Sequence, residues 1–422
     1  MKHKYKFLLI PNASNFYDIN QLAEIKSVLV DHNHTVDFLD KEISDVSLIN
    51  LVEKNSYNCV LRVNKGRPEE LKKNVRFISW FQDFYYNSEK ELNNFLQNDL
   101  VYFYTTPEIF GVDKKLNCFS SILYPGISEK NVEPNLPELN KKNQIESYQN
   151  IDFSICGFMP ASHNVNFNQF YFRNFNTDNK STFDGYLKTN LINFIEKYEE
   201  NLSLEKVKKI LIYLQSLTEI LYEPLSGNLD TKFISKKIEE KLSRELSKQS
   251  VEILSPVIRY FSTEYPRFQD RIELARLLTK HSSNFTLVGK GWDVYDEFSE
   301  FYKGEIQNQM LLYGIYKKSK INLYNNTHGL GMHNKVFEIM INGGFIALPS
   351  NKSKRKISSI EEDFEENTHF VYFDPLNFDD FINEWLFKTN ERIIIGNNAR
   401  QKVLKNHSWK NRVEKILNDL NK

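Results

Sequence analysis

Short apolar runs, each only a few residues long and separated by stretches of helical periodicity, recur along both ends of the chain, and this rhythm restricts the fold more than any other feature. Tyr5–Ile10 (YKFLLI), Thr35–Leu39, Ser56–Val63, Val75–Trp80, Leu100–Thr105 and Ser121–Tyr124 form a first series. Ile19–Asp31 carries an amphipathic helical pattern between the first two of these runs. Strands alternating with helices imply βαβ units and a parallel sheet covered on both faces. The 422 residues exceed one ordinary core, so two domains are expected. Residues 1–150 read as the first doubly wound domain, closing in the polar, Asn- and Lys-rich linker Glu133–Asn150.

Ile151–Gly157 (IDFSICG) then opens a second domain, expected over 151–395. Its series resumes only after a long interruption. Between about 166 and 270, apolar residues recur at helical spacing through Leu187–Tyr198, Leu204–Tyr222, Phe233–Leu246 and Val251–Phe261, which predicts a helical insertion. Arg271–Lys280 and Gln309–Lys317 then read as helices, with Phe285–Val288 and Ile321–Tyr324 as strands. Met332–Ile341 and Phe378–Lys388 are further helices, and Gly344–Leu348 and Thr368–Phe373 further strands. Arg392–Leu420 is mostly helical, and a terminal helix is expected over 396–422.

Charge and cysteine content narrow the function. Fifty-five basic and 55 acidic residues cancel, so nothing points to a nucleic-acid partner. The 3 cysteines are scattered and odd in number, which argues against a disulfide framework or a zinc site. The apolar run near the start stops at Pro11, too early for a signal sequence, so a cytoplasmic location is expected, with peripheral membrane contact left open. No P-loop, no G-x-G-x-x-G after the first strand, no H-E-x-x-H and no G-x-S-x-G is present.

Open α/β sheets bind ligands at the carboxyl ends of their strands, so residues just after strands are the candidates. HGLGMHNKVFEIMINGGFIALP, residues 328–349, supplies a loop with Gly329 and Gly331, then a helix whose positive end suits phosphate. Glu338 lies about two turns into that helix, where a carboxylate could take both hydroxyls of a ribose, and Lys335 suits a diphosphate. The competing reading makes both of them ordinary exposed helix residues. Gly289-Lys290-Gly291-Trp292 after FTLV and Lys303-Gly304-Glu305-Ile306 are weaker loops of the same kind. In the first domain Asp83 ends the run WFQD, as a base, a sugar ligand or simply a helix N-cap. Asn64–Pro68 also follows a strand and could touch phosphate or acceptor, whereas Lys352–Lys356 (KSKRK) reads as a solvated loop that might meet an anionic acceptor.

These residues resemble the C-terminal half of bacterial glycosyltransferases of the spore-maturation-protein type, a group 1-like family of GT-B architecture. The matching positions are Gly289, Gly291, Trp292, His328, Gly329, Gly331, Met332, His333, Asn334, Phe337, Glu338, Gly343, Gly344, His407 and Arg412. The match runs from about Arg271 to Leu417 and is looser in the first domain, around SWFQD and the later YPG.

The resemblance implies an α/β fold of two facing Rossmann-like, doubly wound parallel sheets with the helical insertion in the second. It implies sugar transfer from a nucleotide sugar, metal-independent, to a protein, polysaccharide or lipid-linked acceptor, with no cofactor beyond the donor. Glu338 would hold the donor ribose, the loops of Gly289, Gly291, Gly329 and Gly331 would admit the diphosphate with Lys335 as its charge partner, and Trp292 and Asn334 would belong to the same donor site. Gly304, Glu305 and Ile306 would meet the base. The first acid of the related E-x-x-x-x-x-x-x-E pattern falls on Leu330, so His328 or His333 would face the donor sugar, and Asp83 is the first choice of base. Retention or inversion stays open. A nucleotide-sugar epimerase and a catalytically silent carbohydrate-binding or coat-assembly protein are the alternatives.

Overall fold

The computed structural model describes residues 4–14, 16–82, 91–107, 112, 116–128, 150–159, 204–227, 229–244, 246–306, 308–327, 330–350 and 357–422. Asp83, His328, Gly329, the helical pattern at Leu187–Tyr198, nearly all of the linker Glu133–Asn150 and all of KSKRK (Lys352–Lys356) lie outside these.

The first sheet comprises β1 (Lys6–Ile10), β2 (Thr35–Phe38), β3 (Cys59–Val63), β4 (Arg76–Phe81), β5 (Leu100–Phe103) and β6 (Phe119–Ile122). Its order is β2-β1-β3-β4-β5-β6 and every pairing is parallel. Helices α1 (Phe16–Asp31) and α2 (Asp45–Asn55) connect its first three strands, α2 starting where Ser44 accepts a bond from Ser47 N–H. α2 has too few consecutive apolar residues to stand out in the sequence. Its burial rests on Leu48 and Val52 alone. Separate apolar clusters cover the two faces, one around Phe7, Leu61, Ile78 and Tyr102, the other around Leu8, Val60, Phe77 and Val101. Successive strand residues point to opposite faces, which is why near-continuous apolar runs mark strands buried on both sides.

The second sheet repeats the plan with β7 (Ile151–Cys156), β8 (Phe285–Val288), β9 (Ser319–Leu323), β10 (Ile346–Pro349) and β11 (Val371–Phe373), ordered β11-β10-β9-β7-β8 and all parallel. Two facing sheets of this kind make the GT-B fold.

The helical insertion contributes α3 (Leu204–Leu221), α4 (Thr231–Leu242) and α5 (Lys248–Arg259), packed through Leu214, Ile234, Ile238, Leu254 and Phe261. Its junction with the sheet departs from expectation. The sequence reading ended the insertion near 270 and began a helix at Arg271, but α6 spans Tyr265–His281 and follows a π turn, Tyr260–Glu264. Pro266 has no N–H to return to the preceding turn, and the helix widens there instead of stopping. Arg267 and Asp270 therefore belong to a helix of the second sheet.

The remaining helices are α7 (Gln309–Lys318), α8 (Asn334–Ile341), α9 (Phe378–Trp385), α10 (Thr389–Asn406) and α11 (Trp409–Leu420). The expected terminal helix is two helices, because Ser408 forms a capping box with Asn411 and starts α11 afresh. That break returns the chain to the first sheet. Trp409 meets Trp80 edge to face at 6.0 Å, Tyr102 Oη donates to Asp419 at 2.9 Å, and Arg76 donates to Leu420 O at 3.0 Å. Gly126 makes room for this crossing, since a Cβ there would lie 2.5 Å from the Trp409 ring. Gly126→Ala is expected to cost about 1–3 kcal/mol through overpacking, read by urea denaturation with unchanged far-UV dichroism. Among the described residues no helix is long and apolar enough to cross a membrane.

Candidate active site between the two sheets

In an order of this type the chain starts at an inner strand and moves outward in both directions, leaving a crevice where the direction reverses. In the second sheet that crevice lies beyond the carboxyl ends of β7 and β9. The segment after β7 forms one wall and is braced by the segment after β8. Gly157 N–H donates to Val288 O at 2.7 Å and Met159 N–H to Lys290 O at 2.8 Å. Gly289 and Gly291 have φ of +129° and +93°, and a Cβ on Gly291 would sit 1.6 Å from Met159 O. Trp292 is fully buried and its Nε1 donates to Gly157 O at 2.7 Å. The GKGW turn thus acts on the crevice from behind, as a brace whose glycines are demanded by backbone crowding.

The opposite wall is Asn325-Asn326-Thr327 after β9. Between the walls stands Arg271 of α6, which donates to Phe158 O and, at 3.4 Å, to Asn325 Oδ1. A Cβ on Gly157 would strike the guanidinium, so the glycine lets Arg271 lie flat over the end of β7. Arg267 sits one turn earlier, its guanidinium 4.9 Å from the Phe268 ring. Neither arginine was singled out by the sequence reading. The available signal was their spacing of four residues, which aligns two cations on one helix face, but it was hidden by placing the helix start too late.

Helix α8 closes the crevice. His333 is its N-cap, with Nδ1 accepting from Lys335 N–H at 3.3 Å and its ring 5.7 Å from Tyr104 and 5.8 Å from Tyr324. With Nδ1 engaged as acceptor, Nε2 carries the proton. Burial, helped by Lys335, Arg267 and Arg271, pushes the His333 pKa down to about 3, so the ring stays neutral. Lys335 is pulled down to about 7, by desolvation first and then by Arg271.

Glu338 is 1% exposed, which rules out the reading as an ordinary surface acid. Asn334 Nδ2 donates to its Oε1 at 2.9 Å, with Gln309 Nε2 at 3.4 Å and Tyr316 Oη, toward Oε2, at 3.5 Å. Burial raises its pKa to about 7, opposed by Lys335 and these donors. Gly331 permits close approach of a different segment, for its Cβ would lie 2.4 Å from Ile360 N. Gly304 has φ +88° and open space around it, Glu305 is exposed, and Ile306 packs in part against the core under α8. Among the described residues no three His, Cys, Asp or Glu side chains are grouped so that they could hold a metal ion.

The first domain faces this crevice. Tyr17, at the start of α1, is 53% exposed, and its phenol pKa is raised by desolvation first and by the Glu338 carboxylate second. Tyr104 Oη donates to Met332 O at 3.1 Å and Thr105 Oγ1 to Ser358 Oγ at 2.9 Å, tying the loop after β5 to the second domain. On the first domain's side lie neutral amides: Gln82 N–H donates to Asn64 Oδ1 at 2.7 Å and the Gln82 side chain to Gln21 at 2.9 Å. The expectation that Asn64–Pro68 offers a phosphate ligand is corrected for Arg67, which is buried in an ion pair with Asp99 at 3.0 Å and donates to Val75, Leu71 and Lys72 carbonyls. Its charge serves the fold.

The architecture is that of a GT-B protein with its crevice between two Rossmann-like sheets. A family model described as "Glycosyl transferase-like" matches residues 267–418, which hold Arg267, Arg271, Lys335 and Glu338. Among solved structures, the chain is similar to a glycosyltransferase from Rickettsia africae ESF-5, at 12% identity and TM-score 0.48, covering 100% of this chain and 99% of that one. It is similar also to Anabaena Alr3699/HepE in complex with UDP and glucose, at 10% identity and TM-score 0.48, covering 99% of each chain. A third is the sucrose-phosphate synthase of Thermosynechococcus elongatus, at 11% identity and TM-score 0.45, covering 98% of this chain and 97% of that one. No curated protein matches the chain.

Proposed function

We propose that the protein is a glycosyltransferase that takes a sugar from a nucleoside-diphosphate donor held in the second domain and passes it to a hydroxylated acceptor entering from the first. The observation that carries this reading is the meeting of Arg271, Lys335 and Glu338 at the β7/β9 crevice, within the stretch matched by the glycosyl transferase-like model. Arg267, Arg271 and Lys335 supply positive charge where a diphosphate leaving group gains negative charge, and the start of α8 adds its partial charge. A buried carboxylate at Glu338 suits two ribose hydroxyls. The neutral amides of Gln21, Gln82 and Asn64 suit a glycan acceptor rather than a charged one, and Asp83, which follows Gln82 in the chain, is our choice of base. The spore-maturation-protein subtype and a cytoplasmic location belong to the same proposal.

The test is release of nucleoside diphosphate from UDP-, GDP-, ADP- and CDP-sugars, with and without added glycans. Turnover of at least one donor, stimulated by an acceptor, is expected. Silence with every donor under conditions where the protein remains folded would instead favour a carbohydrate-binding role.

A further inference from the structure

The three residues after β9 are not equally provided for. Asn325 is fully engaged: its amide donates to Thr327 Oγ1 at 2.7 Å and to Arg267 O at 3.4 Å, while its Oδ1 accepts from Arg271. Thr327 is held in turn by Asp270, a buried carboxylate that also takes Tyr222 Oη at 2.8 Å and Leu225 N–H at 2.7 Å. The segment is therefore anchored at both ends, to α6 and to the helical insertion. Between the anchors stands Asn326, with φ of +35° and 5% exposure, and its Oδ1 is buried with no hydrogen-bond partner. Left-handed backbone is uncommon for a residue with a Cβ, and a buried acceptor without a donor is rare in native proteins. Neighbours that already hold the segment have no need of this one, so the fold does not explain it. Strain and an unmet acceptor together, at the mouth of a crevice, mark a residue kept for a ligand.

We infer that Asn326 Oδ1 accepts a hydrogen bond from a hydroxyl of the transferred sugar, making it a specificity-determining residue of the donor site; the inference rests on the glycosyl-transfer reading above. The chemistry selects among the parts of a nucleotide sugar. Diphosphate oxygens at neutral pH carry no hydrogen to give, and they repel a carbonyl oxygen. Ribose hydroxyls are matched to Glu338. The sugar's hydroxyls remain as donors.

The experiment compares wild type with Asn326→Gly, which removes the acceptor and relaxes the backbone, and with Asn326→Asp, which keeps an oxygen and tolerates the left-handed region. Titration calorimetry uses UDP against UDP-glucose and GDP against GDP-mannose. For the pair that wild type recognises, Asn326→Gly should bind the nucleotide sugar about tenfold more weakly, leave the bare nucleotide unchanged, and melt no lower than wild type. Asn326→Asp should stay within a few-fold of wild type. Equal weakening for nucleotide and nucleotide sugar, no weakening for either, a lowered melting temperature in Asn326→Gly, or loss in Asn326→Asp as large as in Asn326→Gly would each overturn the assignment. Wild type that binds neither pair would instead overturn the reading of the site as a nucleotide-sugar site.

Discussion

Glu338→Gln is expected to lower nucleotide-sugar affinity about 100-fold while making the free protein more stable at pH 8. The affinity loss follows from replacing a carboxylate, which can accept two charge-assisted hydrogen bonds of roughly 1.5–3 kcal/mol each, by an amide with one acceptor oxygen. The stability gain follows from linkage. Burial raises the Glu338 pKa from 4.5 to about 7. Between those values the native protein holds a proton that the unfolded chain has released, so wild-type stability falls as pH rises through the window. Above about pH 7 the penalty is complete, on the order of 1–3 kcal/mol. Glutamine has no such titration and still accepts the Asn334 bond. Thermal melts from pH 4 to 8 should therefore diverge upward for the variant, and calorimetry with UDP-glucose and GDP-mannose should show the loss. An affinity equal to wild type would remove Glu338 from the donor site.

Arg271→Lys should be nearly as damaging, although it keeps the charge. A planar guanidinium reaches Phe158 O on one wall of the crevice and Asn325 on the other. An ammonium is a point donor on a flexible stem and cannot bridge both. The expected result is a loss of about 10- to 100-fold in affinity for UDP and GDP, with nucleoside binding unaffected and a shallower dependence of affinity on salt. Stability should fall by about 1–2 kcal/mol, because buried acceptors on both walls lose a partner. If nucleoside and nucleotide affinities drop together, Arg271 is a scaffold residue and the diphosphate lies elsewhere.

The two predictions differ in how visible their residues were beforehand. Glu338 stood out because a lone acid follows two glycines and a helix start, an order that local chemistry makes informative. Its burial was not visible, since one acid on an amphipathic helix is ordinarily exposed. Arg267 and Arg271 were missed because the helix was expected to start only at Arg271, whereas it follows a π turn and already spans Pro266 and Arg267. GKGW shows that such a signal can have a second cause. Glycines after a strand suggest a ligand loop, yet Gly289 and Gly291 are needed by the adjacent backbone at 157–159 and the Trp292 indole is core.

The sequence by itself determined the two parallel sheets, because apolar runs of strand length alternating with helical spacing can bury both faces only in that way. It also pointed to the segments after strands, residues 328–349 among them, as the place to look for ligand chemistry. Only the tertiary structure decided which cations reach the crevice, which glycines answer to crowding, and that α11 returns to the first sheet. Those outcomes depend on contacts between segments more than a hundred residues apart, such as Gly157 with Arg271 or Tyr102 with Asp419. Local periodicity carries no record of such distances, because the energy that selects them arises only when the segments pack.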